Sequence, residues 1–220
     1  MTLKATNIYI LGSGHFGQRA AILLQKQIKD GSITVVDRQP KSLAVIEAAG
    51  CKGQTMEAVD FLTSRADQIL PDHWIVPAVP LHLAYAWLQA MLKSGFNLKE
   101  IPVPRAVGSL IPNAVWGDKA QVYTSIATFR CPENCPEPQN KCTVTGKPRP
   151  QILWQTLASL NIPGFRSICI RSYQLAPGVG GFQFKSLQRA RQMIETNPGR
   201  YLISTACKCH GVINGLAHDI

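Results

Sequence analysis

Apolar positions near the start of the chain switch between the two periods of regular structure. Residues 7–11 (NIYIL) form a compact β-branched run ending at Gly12, and Phe16, Ala20, Leu23, Leu24 and Ile28 then recur at helical spacing. Asp30-Gly31 closes that helix, 33–36 (ITVV) read as a second buried strand ending in Asp37, and Pro40 suits the first turn of a helix over 40–49. A strand, helix, strand unit of this length crosses over right-handed and makes a parallel pair. The alternation continues with a helix over 56–66, a strand over 73–79 and a helix over 81–93 carrying Leu83, Trp87, Leu88 and Met91. Residues 95–120, with Pro102, Pro104 and Pro112, read as an irregular connection containing one short strand, 106–111. From there the pattern predicts a strand over 121–129, a cysteine and proline loop over 131–150, a helix over 151–160 and a strand over 166–172. A Gly-rich loop over 176–181 leads to a helix over 184–196, ended by Asn197-Pro198-Gly199, and a strand over 200–205. No repeat of fixed period and no low-complexity tract interrupts this α/β order.

Gly12-Ser13-Gly14-His15-Phe16-Gly17 matches G-x-G-x-x-G where strand meets helix. The first glycine permits a tight turn, the second lets backbone approach a pyrophosphate, and the third lets helix and strand pack closely. The helix N-terminus adds free N–H groups and a positive dipole end. Asp37, at the end of the second strand, is placed to accept hydrogen bonds from ribose hydroxyls. On these residues the N-terminal segment, about the first 90 residues, resembles the Rossmann dinucleotide-binding superfamily, in particular the nucleotide-binding domains of potassium-uptake regulators. The resemblance implies NAD(H), with Gly12, Ser13, Gly14, His15, Phe16, Gly17, Asp37 and Arg38 forming the site. A carboxylate at position 37 disfavours a 2'-phosphate, although Arg38 beside it leaves NADP open, and S-adenosylmethionine is the rival ligand of a similar glycine turn. His15 reads as a solvent-facing residue of the first helical turn.

The fold expected from this pattern is α/β, a doubly wound, mostly parallel Rossmann-like sheet with a Cys/Pro-rich metal-binding loop. Residues 1–128 form the dinucleotide-binding half and 129–220 a cysteine-bearing α/β half, packed on the same sheet as one domain. A chain of 220 residues with 45% hydrophobic content can bury the core this needs. The formal charge of +10 invites nucleic acid, but the basic residues are scattered and the densest cluster, Arg189 and Arg191, is interrupted by Ala190, which argues against it. A phosphate-bearing or otherwise anionic small substrate, or an acidic redox partner protein, accounts for the charge equally well. Met1-Thr2-Leu3-Lys4 runs straight into the first strand, with neither a leader pattern nor an apolar run long enough to span a bilayer, so a cytoplasmic location is expected.

Seven cysteines in such a chain favour metal binding or thiol chemistry over disulfides. Cys51 and Cys169 lie in apolar surroundings and read as small buried hydrophobes. Cys131, Cys135 and Cys142, together with the Cys207-Lys208-Cys209 pair, can supply four soft ligands to one centre, with either Cys207 or Cys209 as the fourth. Cys-x3-Cys and Cys-x6-Cys spacings, with proline after Cys131 and Cys135, point to an iron–sulfur cluster, most simply a four-iron one, ahead of structural zinc or metal-free redox thiols. His210 is left as a supporting, catalytic or solvated group. In a parallel sheet the strand carboxyl ends would gather Gly12, Asp37, Cys131, Gly178 to Gly181 and Cys207 on one edge. The 172–181 loop is then either a second anion cradle or a plain Pro-Gly turn. His73 and His82 read as partly buried, satisfied histidines, and Glu133 and Glu137 as solvated carboxylates with acid or base capacity.

Three functions remain: an NAD-dependent iron–sulfur oxidoreductase or electron-transfer protein, a non-enzymatic redox and nucleotide sensor, and a methyltransferase. No Ser-His-Asp order, zinc-protease helix or Walker loop is present, and no catalytic residue is assigned. A homo-oligomer is compatible with all three.

Overall fold

The computed structural model describes residues 6–118 and 120–219; the N-terminal run 1–4, read above for its lack of a leader, lies outside them. Strands β1 (Ile8–Leu11), β2 (Ile33–Asp37), β3 (Lys52–Thr55) and β4 (Trp74–Pro77) alternate with helices α1 (His15–Gln25), α2 (Pro40–Ala48) and α3 (Ala58–Ser64). Helix α4 (Leu83–Leu92), strand β5 (Asn97–Ile101), a 3-10 turn (Arg105–Ser109), β6 (Val115–Trp116) and β7 (Val122–Ser125) follow. After a long loop come α5 (Leu153–Ala158), β8 (Phe165–Arg171), β9 (Tyr173–Ala176), β10 (Val179–Gln183), α6 (Phe184–Thr196), β11 (Gly199–Ala206) and β12 (His210–Asp219).

These strands form two sheets, ordered β3-β2-β1-β4-β10-β9 and β6-β7-β12-β11-β8, with β5 also paired to β12. In the first sheet β3, β2, β1 and β4 are parallel, Ile10 pairing with Val35 and with Val76. The parallel run stops there, because β10 joins β4 antiparallel and β9 joins β10 antiparallel. In the second sheet only β8 and β11 run parallel. The expected doubly wound, mostly parallel Rossmann-like sheet is therefore incorrect.

Connection length explains two of the antiparallel pairings, β9 with β10 and β11 with β12. Only Pro177 and Gly178 separate β9 from β10, and only Cys207, Lys208 and Cys209 separate β11 from β12. Links that short return a chain beside itself but cannot carry a parallel crossover, which takes a dozen residues or more. The segment 210–219, dilute in branched apolar residues and holding Gly211, Asn214 and Gly215, gave no strand pattern, and neither did β3 or β5. Residues 106–111, expected as a strand, begin in the 3-10 turn instead. Sheet membership also crosses position 128: β5, β6 and β7 belong to the second sheet, and β9 and β10 to the first.

Both sheets bury both faces. On β1, Ile8 and Ile10 pack with Ala20, Leu24 and Ile46 of α1 and α2, while Leu11 faces the central layer. On β11, Tyr201 and Ile203 join that central layer with α4 and α6, and Leu202 packs with Leu153 and Leu157 of α5. Helix α4 and helix α6 thus lie between the sheets, and side-chain alternation along each central strand serves two cores at once.

His82 caps the start of α4 inside this central layer and is 6% exposed. Its Nδ1 lies 2.8 Å from Asn214 Oδ1 and its Nε2 2.9 Å from Thr205 Oγ1, so Nδ1–H donates to the amide oxygen and Nε2 accepts the hydroxyl proton. Burial holds the ring neutral, lowering its pKa to about 4 from the ordinary 6.5. Between those values the unfolded chain binds the proton and the folded chain does not, so stability is complete above about pH 6.5 and falls toward pH 4, by roughly 3 kcal/mol in total. Urea midpoints of the wild type should drop between pH 7 and pH 5, and His82→Gln should flatten that decline; equal slopes would remove His82 as the cause.

Candidate functional site

The glycine loop after β1 and the end of β2 enclose a cleft of about 390 Å³ bordered by Gly12, Ser13, Gly14, Asp37 and Arg38. A side chain at Gly17 would meet the Gly12 carbonyl oxygen at 1.9 Å, so this position admits only glycine while α1 stays against β1. Gly14 is different: an added Cβ there meets nothing within 4 Å. Gly14 is also the N-cap of α1, which has no side-chain cap and no acidic residue in its first turn. The helix start is thus open and positively polarised.

Asp37 is tied into the loop it faces. Its Oδ2 accepts the Ser13 N–H at 2.7 Å and the Ser13 hydroxyl at 2.7 Å, while Oδ1 accepts the Gln39 N–H at 2.9 Å. These bonds and nearby Arg38 hold the carboxyl below its ordinary value against the opposing and largest single effect, burial. A carboxylate offers about four acceptor positions, so one remains for a ribose hydroxyl. Ser42 hydrogen-bonds Ser13 from the other side. Arg38 pairs with Glu57 at 3.4 Å across the same cleft.

On the other side of the first turn of α1, Phe16 borders a second cavity of about 540 Å³. Cys131, Cys135, Cys142, Cys207 and Cys209 all line it. They arrive from the long β7–α5 loop and from the β11–β12 turn, which leave β7 and β11 at the same edge of the second sheet, whereas Gly12 and Asp37 end strands of the first. Among the described residues no group of three or more His, Cys, Asp or Glu side chains is arranged to hold a metal ion, so the Cys/Pro-rich metal-binding loop expected of the fold is incorrect, with or without Cys207 and Cys209. Cys51, in contrast, is buried against α1 and Cys169 lies on β8, packed against the α5 side of the second sheet.

The five thiols differ in surroundings. The chain turns after Cys142, closing Gly146 N–H on the Cys142 carbonyl at 2.9 Å, and backbone N–H groups of Thr145 and Val144 are directed at the Cys142 sulfur. Those donors hold that thiol below its ordinary value. Arg149 donates Nε–H to Cys209 Sγ at 2.9 Å and is itself held by the Pro138 carbonyl at 2.6 Å. Burial pushes the Cys209 thiol up, with the Arg149 contact opposing it. Cys131 is raised by burial and then by the charges of Cys135, Cys209 and Cys142, which lie within electrostatic reach of its sulfur. Cys207 turns elsewhere. It is pushed up to about 12 by burial and by the Glu137 carboxylate, and its sulfur accepts N–H groups of Cys209 at 3.4 Å and His210 at 3.3 Å.

Three residues organise the site: Arg149, which the sequence reading did not single out, and Glu137 and Gly178, which it took as a solvated carboxylate and as part of a Gly-rich loop, although Glu137 is buried. Arg149 neutralises sulfur charge. Glu137, 9% exposed, accepts the Lys208 N–H at 2.7 Å and so clamps the β11–β12 turn to the cysteine loop. Gly178, at φ +75°, donates its N–H to the Cys135 carbonyl at 2.9 Å, and Gln174 Nε2 donates to the same oxygen at 2.7 Å. The 172–181 stretch is thus mostly strands β9 and β10 joined by a Pro177-Gly178 turn that docks the cysteine loop, the plain-turn alternative and not the anion cradle. Arg149 and Glu137 carry no sequence signal beyond their nearness to cysteines, whereas the Pro-Gly pair marks only a turn. His15, expected in solvent, is exposed but reaches Glu133 at 3.0 Å, joining the first turn of α1 to the cysteine loop. His73 is buried and accepts the Leu70 N–H through Nδ1.

No helix among the described residues is long and apolar enough to cross a membrane. Across 218 aligned residues the chain is 28% identical to an uncharacterized protein of Archaeoglobus fulgidus, covering 94% of this chain and 97% of that relative. The glycine loop and the cysteine segments therefore fall within one comparable length of chain. A family model described as "Uncharacterized protein, C-terminal domain" (AF_1314_C) matches residues 83–219, a stretch that holds all five cavity cysteines, Arg149, Glu137 and Gly178. The chain belongs to this AF_1314_C family.

Proposed function

We propose that this protein is an NAD(H)-binding redox protein in which the dinucleotide lies across the glycine loop and a thiolate-held iron–sulfur cluster occupies the neighbouring cavity. Cys131, Cys135, Cys142 and Cys209 are its ligands, with Cys207 outside the set. The observation that carries this is the meeting of five cysteines from two separate chain segments in one cavity whose wall includes Phe16, two residues beyond the open Gly14. The donor chemistry fits: sulfur ligands with directed backbone N–H groups at Cys142 and a guanidinium at Cys209 stabilise thiolate charge. The cavity is also far roomier than a single tetrahedral ion with bonds of about 2.3 Å requires.

When bound, such a cluster supplies one-electron transfer, whereas a nicotinamide supplies a hydride, and direct exchange between the two calls for a flavin. The nucleotide is accordingly assigned to binding and redox response, and the thiolate centre to electron exchange with a partner. Arg149 and the 144–145 N–H groups hold the ligand charge, and Glu137 keeps the turn carrying Cys209 against the loop.

Anaerobic purification tests the centre: iron and sulfide with absorbance near 400 nm are expected, and a colourless protein with stoichiometric zinc would overturn the cluster. Gly14→Ala tests the cleft. With open space around the new methyl group the melting temperature should stay within a degree or two, while NADH affinity falls about tenfold as the methyl blocks the pyrophosphate approach. Unchanged NADH affinity, or tighter binding of S-adenosylmethionine than of NADH, would remove the dinucleotide from this loop.

A further inference from the structure

The thiol cavity opens on a surface with exposed aromatic side chains at its mouth. Among the described residues the large exposed hydrophobic side chains include two phenylalanines, Phe16 at 56% and Phe129 at 36% exposure, and both line this one cavity. Val144, 52% exposed, stands on the adjoining Cys142 turn. Around them Arg130 and Lys147 also line the cavity, exposed and without a salt bridge among the described residues. The two carboxylates nearby are already engaged: Glu133 pairs with His15, and Glu137 is buried against Lys208. Arg130 and Lys147 thus outnumber the one exposed carboxylate at the mouth, Glu133, in a chain whose formal charge is +10.

We infer that this mouth is a docking face for a small acidic electron-carrier protein, an inference that rests on the redox function proposed above. Apolar side chains ringed by cations suit brief docking of an anionic partner: aromatics exclude water at the centre while the rim charges steer the approach. A second copy of this chain fits poorly, since a symmetric contact would set the same cations against one another. Single-stranded nucleic acid could stack on the two phenylalanines, but a backbone-tracking groove needs a row of cations, and Glu133 interrupts this one.

The test uses the full chain, with iron and sulfide measured on the same preparation, and an acidic ferredoxin as probe. Binding at low ionic strength should weaken at least tenfold between about 20 and 200 mM salt. Reversing the mouth with Arg130→Glu and Lys147→Glu should weaken it a further tenfold or more, whereas Lys26→Glu with Lys52→Glu, on the far end of α1 and on β3, should change it less than twofold. Phe129→Ser should weaken docking without altering the salt dependence. Iron-loaded protein that fails to bind, or that responds equally to both charge reversals, overturns the docking face while leaving the cluster standing. Mouth variants that instead lose an oligonucleotide, or dissociate a dimer, assign the face to those occupants. Protein without iron overturns the redox function and the docking face with it.

Discussion

Serine at Cys131, Cys142 or Cys209 is expected to strip the metal centre, with iron per chain falling at least tenfold, while serine at Cys207 or Cys51 leaves it in place. The contrast between Cys207 and Cys209 is the sharper half. They are two residues apart on the same turn, yet Arg149 reaches only the Cys209 sulfur, and Cys207 faces Glu137 with its thiol held to about 12. A sulfur facing a buried carboxylate meets like charge once ionised, whereas a sulfur touching a guanidinium meets opposite charge. Iron and sulfide content read beside the absorbance spectrum decides between them. Loss at Cys207→Ser with retention at Cys209→Ser would reverse the assignment, and retention in all variants would leave the cavity without a metal role.

Gly178→Ala should damage the same site with no ligand removed. An added Cβ would stand 1.6 Å from the Glu133 carbonyl oxygen, inside the Cys131–Cys135 segment, and the position already needs φ +75°. Strain at positive φ and forced displacement of the loop together cost about 3 kcal/mol. The Gly178 N–H bond to Cys135 and the Gln174 bond beside it would be lost as the loop lifts. Thermal melting should show the destabilisation, and iron content should drop severalfold in the fraction that still folds. A variant that melts lower but keeps full iron would show that loop docking is not needed for the centre. Ala at Gly14, by contrast, should spare both quantities.

The N-terminal pattern was legible because each element there is decided locally. Branched apolar runs, a helical stripe and a glycine turn follow one another within the span of a single supersecondary unit, and β1, α1, β2, α2 and α4 lie where the periodicity puts them. Helix α6 was equally plain, bracketed by its own glycine and proline signals. The sheets were not legible. Strand direction depends on how the chain returns; Pro177-Gly178 carries a turn signal without saying which strands it joins, and Cys207 to Cys209 suggest ligands rather than a turn.

What the sequence determines by itself is the chemistry on offer: a glycine loop with an acidic residue one strand away, and five cysteines in two groups. Those are properties of residue type and spacing, and they survive any folding. Only the tertiary structure decides which thiols are neighbours, that Asp37 is already bonded to Ser13, and that Arg149, Glu137 and Gly178 hold the cysteine segments together. These contacts join residues 24 to 71 positions apart, and the Gly178 bond to Cys135 ties the β9–β10 turn of the first sheet to the loop that leaves the second. Their energies come from burial and from hydrogen bonds between distant groups, which no local window of sequence contains.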